Sequence, residues 1–549
     1  MIPAAPSSPE PSPSTLRHRW ELPGIVLLIA LSCWVFFYRL GHEDLHDWDE
    51  AWHAQVSSEI VTSGRWLPLL DRGAPYFNKP PLTFWLRAIA FRLWGINETT
   101  SRLFPALFGF ASVLVATQFF RRVCGRMEGL FAGFILCTSW LFTMHHAGRS
   151  GETDSTLIFF QVATVAAMWK ARQRPAWFYL AGAFTALGWM TKGSTAYLVW
   201  PAVLLAQGIE RRHRPHREKA TLAPSSPWHA LGGLALAFAL TLPWQIMMLA
   251  RYGHAFGRAF YFGEGLLPAL QVIENHPGNP MFYVWVFHAF FQPWTVLAAG
   301  GVAWLILQKS SSDRPAMYML LCWAAVIFGA CTLFATKMDW YATPALPPIA
   351  ALAAMAGCEL CRRSRGWIIL VPVSALGIAQ IIEQSWKPWG LGVAIVMALG
   401  ITLVLIKGSP AIPLWRTRLA AMLLCLPLLA QLSIIYRVIV RGQVAAEWTA
   451  LNVDDEPWGS LCRRIDRELP GRPILLVDIP LNPAAYFYLH HLKQPVHVES
   501  IAAELIHASV ERMPGSLIIT RGEYAPMLKS QPLNPLFGDG ALVVEAAFP

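Results

Sequence analysis

Long apolar runs recur along this chain and constrain its fold more than any other feature. A helix that crosses a bilayer needs about 20 mostly apolar residues. Thirteen stretches meet that pattern, centred on residues 22–40, 101–121, 127–145, 153–171, 175–191, 193–209, 228–250, 280–307, 316–335, 339–360, 366–384, 387–406 and 417–437. Only 14% of the 549 residues are charged and 55% are hydrophobic, whereas soluble domains carry about 25% charge. The pattern specifies a polytopic α-helical membrane protein with about 13 transmembrane helices.

The net charge of +10 would suit a polyanionic partner, but the placement of the charges explains it otherwise. With the N-terminus cytoplasmic, one set of loops carries Arg121, Arg122 and Arg126, then Arg211, Arg212, Arg214, Arg217 and Lys219, then Arg362, Arg363 and Arg365. The short opposite loops carry only Arg149, Lys192, Arg251, Arg258, Lys337 and Lys387. This is the positive-inside asymmetry, and no nucleic-acid partner is needed. It puts the 41–100 loop on the outer face, and an odd number of spans puts the C-terminal segment there too.

Three parts follow. Residues 1–20, "MIPAAPSSPEPSPSTLRHRW", are rich in Pro and Ser and read as a disordered cytoplasmic tail. No small-residue cleavage site follows the first apolar run, so it reads as a span rather than a leader. Residues 21–440 form the transmembrane domain. In 441–549, "RPILLVDIP", "QPVHVES", "GSLIITRG" and "ALVVEAAF" read as strands, with "PAAYFYLHH" and "SIAAELIHASVERM" as helices between them. That alternation predicts a small α/β domain on the outer face.

Within the 41–100 loop, Trp52, Val56 and Ile60 recur every four residues in "EAWHAQVSSEIVTSG". In "PPLTFWLRAIAFRLWG", Leu82, Trp85, Leu86, Ile89 and Leu93 share one face, with Arg87 and Arg92 off it. Both are too short and too charged to span, and are predicted to lie in the membrane interface. Straddling the start of the first is "HEDLHDWDEAWHA", residues 42–54, with five carboxylates and three histidines. A solvated loop, a metal site, a proton path and a catalytic centre are all open to such a stretch. His42, His46 and His53 with Asp44, Asp47 and Asp49 could hold a divalent metal, but no tight histidine pair lies on one helix face, so no metal is assigned. His145 and His146 read as caps of the third span at the interface. Cys358 and Cys361 have CxxC spacing without a second pair, and read as packing residues.

Ionisable residues avoid the span centres and gather at their outer ends: Asp49, Glu50, Lys79, Arg102, Arg149, Glu152, Asp154, Lys192, Lys337 and Asp339. A charge near hydrocarbon is costly unless paired or facing a cavity. The reading is one outward-facing polar cavity. A transporter is the alternative, but it would be expected to place such groups near the midplane, often with an internal repeat, and no convincing repeat is evident. Lys337 or Arg102 alone needs no more than an interfacial role; Asp49 and Glu50 beside a membrane-embedded helix favour chemistry.

The run "WDEAWHAQVSSEIVTSGRWLPLLDRGAPYFNKPPLTFWLRAIAFRLWGINETTSRLFPAL" resembles the first outer loop of the polytopic C-type glycosyltransferases, in particular the bacterial aminoarabinose transferase and dolichyl-phosphate-mannose-protein mannosyltransferase superfamily. "GRSGETDSTL" resembles a second outer-loop motif, an Arg and an Asp five residues apart, and "MTKGSTAYLVWP", "LPWQ" and "TKMDWYATPALPPIA" resemble later landmarks. The resemblance implies an enzyme of the bacterial inner membrane. It would take a sugar from a polyprenyl-phosphate donor at the outer leaflet and pass it to an envelope acceptor by displacement at the anomeric carbon. The residue types suit that chemistry. A leaving lipid phosphate needs cations, for which Lys79 is the first candidate, with Arg149 and Lys192 behind it. An oxocarbenium-like centre needs a carboxylate, and a hydroxyl acceptor needs a base. Asp49 fits that place, supported by Glu50, with Asp154 positioning Asp49 or the acceptor. Tyr76 and Tyr341 fit positions that line the family's donor site. Two departures stand out: Trp52 and His53 replace an Arg and a Tyr after the Asp-Glu pair, and "YFGEGLLPALQVIENHPGNP" lacks the family's arginine in that loop. They weigh against aminoarabinose and lipid A and leave the reaction class standing.

Overall fold

The computed structural model describes residues 13–213, 227–273, 275–307, 314–383, 396, 399–401, 414–441, 457–479, 481–521, 533–539 and 542–547. Helices dominate. The first nine in chain order are α1 (Pro13–Phe37), α2 (Asp49–Ser63), α3 (Leu82–Trp94), α4 (Glu98–Val123), α5 (Arg126–Thr138), α6 (Trp140–Thr143), α7 (Asp154–Lys170), α8 (Trp177–Lys192) and α9 (Val199–His213). Further long helices cover Pro227–Phe256, Trp294–Leu307, Arg314–Leu333, Leu346–Cys361, Gly366–Glu383 and Leu414–Arg441. Twelve of the thirteen expected segments fall on helices; the other, 387–406, lies mostly outside the described residues. Five helical stretches, Glu98–Val123, Pro227–Leu270, Pro315–Leu333, Asp339–Cys361 and Trp415–Val440, are long and apolar enough to cross a membrane, and shorter apolar helices accompany them. The chain is a multi-pass membrane protein. Helix α1 begins at Pro13, inside the stretch expected to be disordered; proline is well suited to a helix's first turn, where its missing N–H leaves no bond unmade.

Contacts divide the chain into two compact units. The first comprises Met1–Tyr38, Ala106–Arg149 and Asp154–Arg441; the second comprises Arg39–Pro105, Ser150–Thr153 and Gly442–Pro549. The first unit is held as membrane bundles are, by close approach and buried polar contacts. A Cβ on Gly182 of α8 would lie 2.1 Å from the carbonyl oxygen of Gly233, so these helices pack backbone to backbone. The indole N–H of Trp200 donates to Thr185 Oγ1 at 2.8 Å, and Thr185 meets Thr164 at 3.3 Å, tying α7, α8 and α9.

In the second unit a five-stranded sheet has the order β4–β3–β5–β7–β6, numbering after a two-residue hairpin of β1 (Leu70–Asp71) and β2 (Ala74–Pro75). The strands are β3 (Ile474–Val477), β4 (Val498–Ile501), β5 (Leu517–Arg521), β6 (Leu533–Asp539) and β7 (Leu542–Ala547). β3 runs parallel to β4 and β5, and β7 is antiparallel to β5 and β6. The four expected strands are present, β6 is additional, and helices Pro483–His490 and Ile506–Arg512 lie where expected. One sheet face, through Ile474, Leu476, Leu517 and Ile519, packs with Trp458, Leu461, Phe487, Leu45, Ala51, Ala54 and Phe91. So α2, α3 and the sheet share one apolar core.

The two short helices of the 41–100 loop differ from each other. The stripe Trp52, Val56, Ile60 of α2 turns inward against Leu69, Tyr76, Phe84 and Ala88, so α2 is a core helix and not an interfacial one. Most of its side chains, including the polar Gln55, Ser57 and Ser58, are buried, because the sheet-side core and the Tyr76 cluster cover opposite faces. On α3 the apolar stripe faces outward: Ile89 is 39% and Leu93 63% exposed, while Arg87 is 1% exposed. That inversion fits a helix whose outer face meets lipid rather than water.

Candidate functional site

In the second unit the acidic stretch 42–54 divides its carboxylates among different tasks. Asp44 accepts the backbone N–H of Ser460 at 2.9 Å and an Arg463 N–H at 2.7 Å. Asp47 accepts the N–H of Ala484 at 3.0 Å. Both therefore supply acceptors to helix N-termini, those of Trp458–Glu468 and Pro483–His490, where N–H groups lack intrahelical partners. Glu50, in the first turn of α2, is 1% exposed and takes a bidentate contact from Arg102, Nε to Oε1 at 2.7 Å and Nη2 to Oε2 at 2.8 Å. It also accepts the N–H groups of Gly151 at 2.5 Å and His46 at 2.9 Å. Burial alone would raise its pKa; the Arg102 guanidinium overcomes that and holds the carboxyl down to about 2.

Asp49 stands beside this cluster as the first residue of α2, half-buried where Glu50 is closed off. A helix N-terminus favours a carboxylate. Before it, Trp48 adopts φ 61° and ψ −122° and is 63% exposed. Such a backbone costs a bulky residue about 1–3 kcal/mol and persists only where the surroundings over-determine it. One turn on, His53 is 1% exposed, with Nδ1 3.4 Å from Glu152 Oε2. Arg87 donates to the carbonyls of Ser101, at 3.0 Å, and Gly151. Burial lowers its pKa to about 10 against the opposing pull of Glu152 and Glu50. Tyr76 and Lys79 follow β2. The Tyr76 N–H donates to Leu69 O at 2.9 Å, and its ring meets Trp52 and Phe84 edge-on at 5.5 and 5.4 Å. Lys79 is half-buried just before Pro80 and Pro81, which lead into α3.

The first unit holds Arg149, Asp154, Lys192 and Tyr341. Asp154 opens α7 and is 1% exposed. It receives Lys192 Nζ at 2.7 and 2.6 Å on its two oxygens and meets His146 Nδ1 at 3.1 Å. His146, at φ 52°, lies flat on Trp340 with ring centroids 3.9 Å apart and planes 3° from parallel. His145 Nε2 is 2.8 Å from Asp339 Oδ2. The two histidines expected as interfacial caps are thus bound to carboxylates of two different elements. Arg149 Nη1 donates to Val35 O at 2.7 Å. Tyr341 packs edge-on against Phe334 and Trp340, each at 6.4 Å. Lys337 donates to the carbonyls of Cys331 at 3.0 Å, Thr332 at 2.6 Å and Phe334, closing the C-terminal end of Arg314–Leu333, a structural task.

The structure therefore pairs Asp154 with Lys192 and sets Asp49 and Glu50 side by side with different surroundings. Sequence reasoning did not assign Arg87, His53, His145 or His146 to these networks. Arg87 carried a signal, a charge inside a short apolar helix, and His53 lay in the acidic stretch; His145 and His146 carried none beyond adjacency.

Comparison with known proteins bears on the fold and the reaction class. Residues 78–246 match the family described as dolichyl-phosphate-mannose-protein mannosyltransferase. The undecaprenyl phosphate-alpha-4-amino-4-deoxy-L-arabinose arabinosyl transferase 2 of Pseudomonas fluorescens is 28% identical over 413 residues, 70% of this chain and 67% of that protein. The corresponding transferase of Pseudomonas savastanoi pv. phaseolicola is 26% identical over 71% of this chain and 74% of its own length. Across the first four such relatives the aligned part covers 59–74% of the relative. The fold is similar to that of ArnT from Cupriavidus metallidurans bound to undecaprenyl phosphate, with TM-score 0.67, 21% identity, and coverage of 96% of this chain and 99% of that one.

The protein is accordingly a membrane glycosyltransferase of the C-type class, an enzyme that moves a sugar from a lipid-phosphate carrier to an acceptor. Its sequence is similar both to the aminoarabinose transferases and to the dolichyl-phosphate-mannose-protein mannosyltransferase family.

Proposed function

We propose that this enzyme works in a bacterial inner membrane and transfers a sugar from undecaprenyl phosphate to an envelope acceptor on the periplasmic face. The observation that carries the assignment of its carboxylate is the contrast within one Asp-Glu pair. Glu50 is buried and wholly engaged with Arg102, Gly151 and His46, while Asp49 keeps exposed surface at the start of α2. Asp49 is the carboxylate of transfer and Glu50 holds it in place. Lys79 meets the charge of the donor phosphate and Tyr76 borders it; the family resemblance gives Arg149, Lys192 and Tyr341 donor-binding roles as well. Asp154 orients Lys192 through their ion pair.

In the reaction an acceptor oxygen attacks the anomeric carbon, the bond to the phosphate oxygen breaks, and polyprenyl phosphate leaves with the electron pair. From a hydroxyl acceptor the proton passes to Asp49; a phosphate acceptor carries no proton to remove, and Asp49 then balances charge. The acceptor is lipid A, another glycan or a protein. Trp52 and His53, which replace the Arg and Tyr of aminoarabinose transferases, favour an acceptor or sugar other than theirs. The chain's own cations serve the phosphate, which favours a reaction without a divalent metal, and a chelator is expected to leave turnover unchanged. Residues 441–549 stand on the periplasmic side with the 41–100 loop.

The test is sugar release from radiolabelled polyprenyl-phosphate donors by the purified protein in lipid, with crude envelope fractions as acceptors. Turnover should fall by about 10²–10⁴-fold in Asp49→Asn and by about 10²–10³-fold in Lys79→Ala. Equal turnover in all three proteins would remove the site assignment. Donor movement between leaflets without a covalent product would replace the enzyme with a transporter.

A further inference from the structure

We propose that Arg102 and Arg87 are positioning residues for the transfer, acting through Glu50 and the backbone of Gly151 on the turn that presents Asp49. The inference rests on the reading of Asp49 as the carboxylate of transfer.

Arg102 makes five hydrogen bonds. Two go to Glu50, and the others to the carbonyls of Leu40 at 3.3 Å, Glu43 at 2.8 Å and Asp44 at 2.8 Å. A guanidinium has five N–H donors, so its capacity is filled. Each oxygen of Glu50 takes two donors, one from Arg102 and one from a backbone N–H, of Gly151 or His46. Arg87 completes the arrangement on the Gly151 carbonyl, with Ser57 Oγ at 3.4 Å. Both backbone groups of Gly151 are therefore held by buried charged side chains. There is no room for a larger residue: a Cβ there would lie 2.9 Å from Glu50 Cγ and 3.1 Å from Glu50 Oε1.

These bonds converge on the backbone at residues 40, 43, 44 and 46 and on the side chain of residue 50. Between the last two anchors lies the strained Trp48, at φ 61° and 63% exposed. The His46 N–H on Glu50, and the Ala51 N–H on His46 O at 3.1 Å, fasten both ends of that turn. A network serving stability alone would have no use for a strained, exposed tryptophan at its centre. A network that aims the next residue, Asp49, must fix the turn against its tendency to relax. Arg102 is thus to Asp49 what an outer-sphere partner is to a metal ligand: it touches no substrate and sets the direction of the group that does.

The experiment compares wild type, Arg102→Lys, Arg87→Lys and Gly151→Ala as full-length protein in lipid nanodiscs. It measures kcat and donor KM, and hydrogen–deuterium exchange over residues 40–52 and over the sheet. Lysine keeps the charge but not the fork. Arg102→Lys should lower kcat by about 10²-fold, as a misplaced catalytic group does, with donor KM within about twofold. Gly151→Ala, which crowds Glu50 without removing a charge, should lower kcat by about tenfold. Exchange should rise over 40–52 and stay unchanged at β3. If Arg102→Lys does not fold, Gly151→Ala decides. A folded Gly151→Ala with kcat within about twofold of wild type overturns the proposal. Wild type inactive with every donor would instead overturn the transferase reading, and exchange would then judge the clamp by itself: unchanged protection over 40–52 overturns it.

Discussion

The Glu50–Arg102 and Asp154–Lys192 contacts are both buried pairs of a carboxylate and a cation at helix ends, yet they are finished differently. In the first, the side chains are 1% and 4% exposed, every guanidinium donor is used, and each carboxylate oxygen has two partners. In the second, Asp154 is closed off at 2% but Lys192 keeps 16% of its side chain exposed. Two ammonium donors serve Asp154, and an ammonium has three. A buried ion pair repays its desolvation only when geometry and additional hydrogen bonds are complete. The complete pair is a fixed joint. The pair with a cation reaching the surface, set at the C-terminal end of α8 where a positive charge is favoured, can still answer an arriving anion.

That contrast is broken most severely by removing one partner of the closed pair. Arg102→Ala leaves the buried Glu50 without its countercharge and takes a donor from three carbonyls, and should cost about 3–5 kcal/mol, read as a large fall in unfolding temperature or loss of folded protein. Replacing the open pair's cation should separate the two effects. Lys192→Ala should lower turnover by about 10²–10³-fold while unfolding temperature falls far less than in Arg102→Ala, and Lys192→Arg should recover part of the activity. A Lys192→Ala protein that unfolds like Arg102→Ala would show that both pairs are structural joints.

Acid sharpens the comparison. The Glu50 carboxyl is lowered from 4.5 to about 2 in the folded protein. A lowered carboxylate stabilises the fold above its unfolded pKa, and that contribution is lost as pH falls through the folded value. At neutral pH it amounts to about 3 kcal/mol, and it should fade between about pH 4.5 and 2. Protection of residues 40–52 against exchange, followed from pH 6 downward, should weaken in that window. In Glu50→Gln the same window should be flat; a matching loss in that variant would assign the transition to another group.

The bundle was legible because hydrocarbon demands long apolar helices, and that demand is written in composition and period. The four sheet strands were legible because short β-branched runs between turn residues have few alternatives. The burial of α2 was not, because Trp52, Val56 and Ile60 form a stripe whether they face lipid or Tyr76 and Phe84. The Asp-Glu pair pointed to chemistry, but the division of labour inside it depends on Arg102, 52 residues away. Nothing local says that one carboxylate of five is used by Arg102 and another by Ser460. The same holds for His145 and His146, whose partners Asp339 and Asp154 lie 194 and 8 residues distant. Long-range pairing of short polar side chains leaves no periodic trace, so these partners could not be read in advance.

The smallest expected effect concerns the acids whose side chains cap helices rather than pair with Arg102. Asp44 and Asp47 each supply an acceptor to a helix N-terminus in the second unit. Loss of a capping acceptor costs about 0.5–2 kcal/mol. The Arg463 contact of Asp44 adds little, because Arg463 is 54% exposed and surface pairs contribute about 0–1 kcal/mol. Asp47→Ala should sit lower in that range than Asp44→Ala, because Asn482 also caps Pro483–His490, accepting the N–H of Ala485 at 2.8 Å. Both variants should retain donor KM and most of their turnover, with unfolding temperatures a few degrees down. If either instead loses activity as Asp49→Asn does while staying folded, the acidic stretch acts as one catalytic surface, and the division between anchoring acids and a working one does not hold.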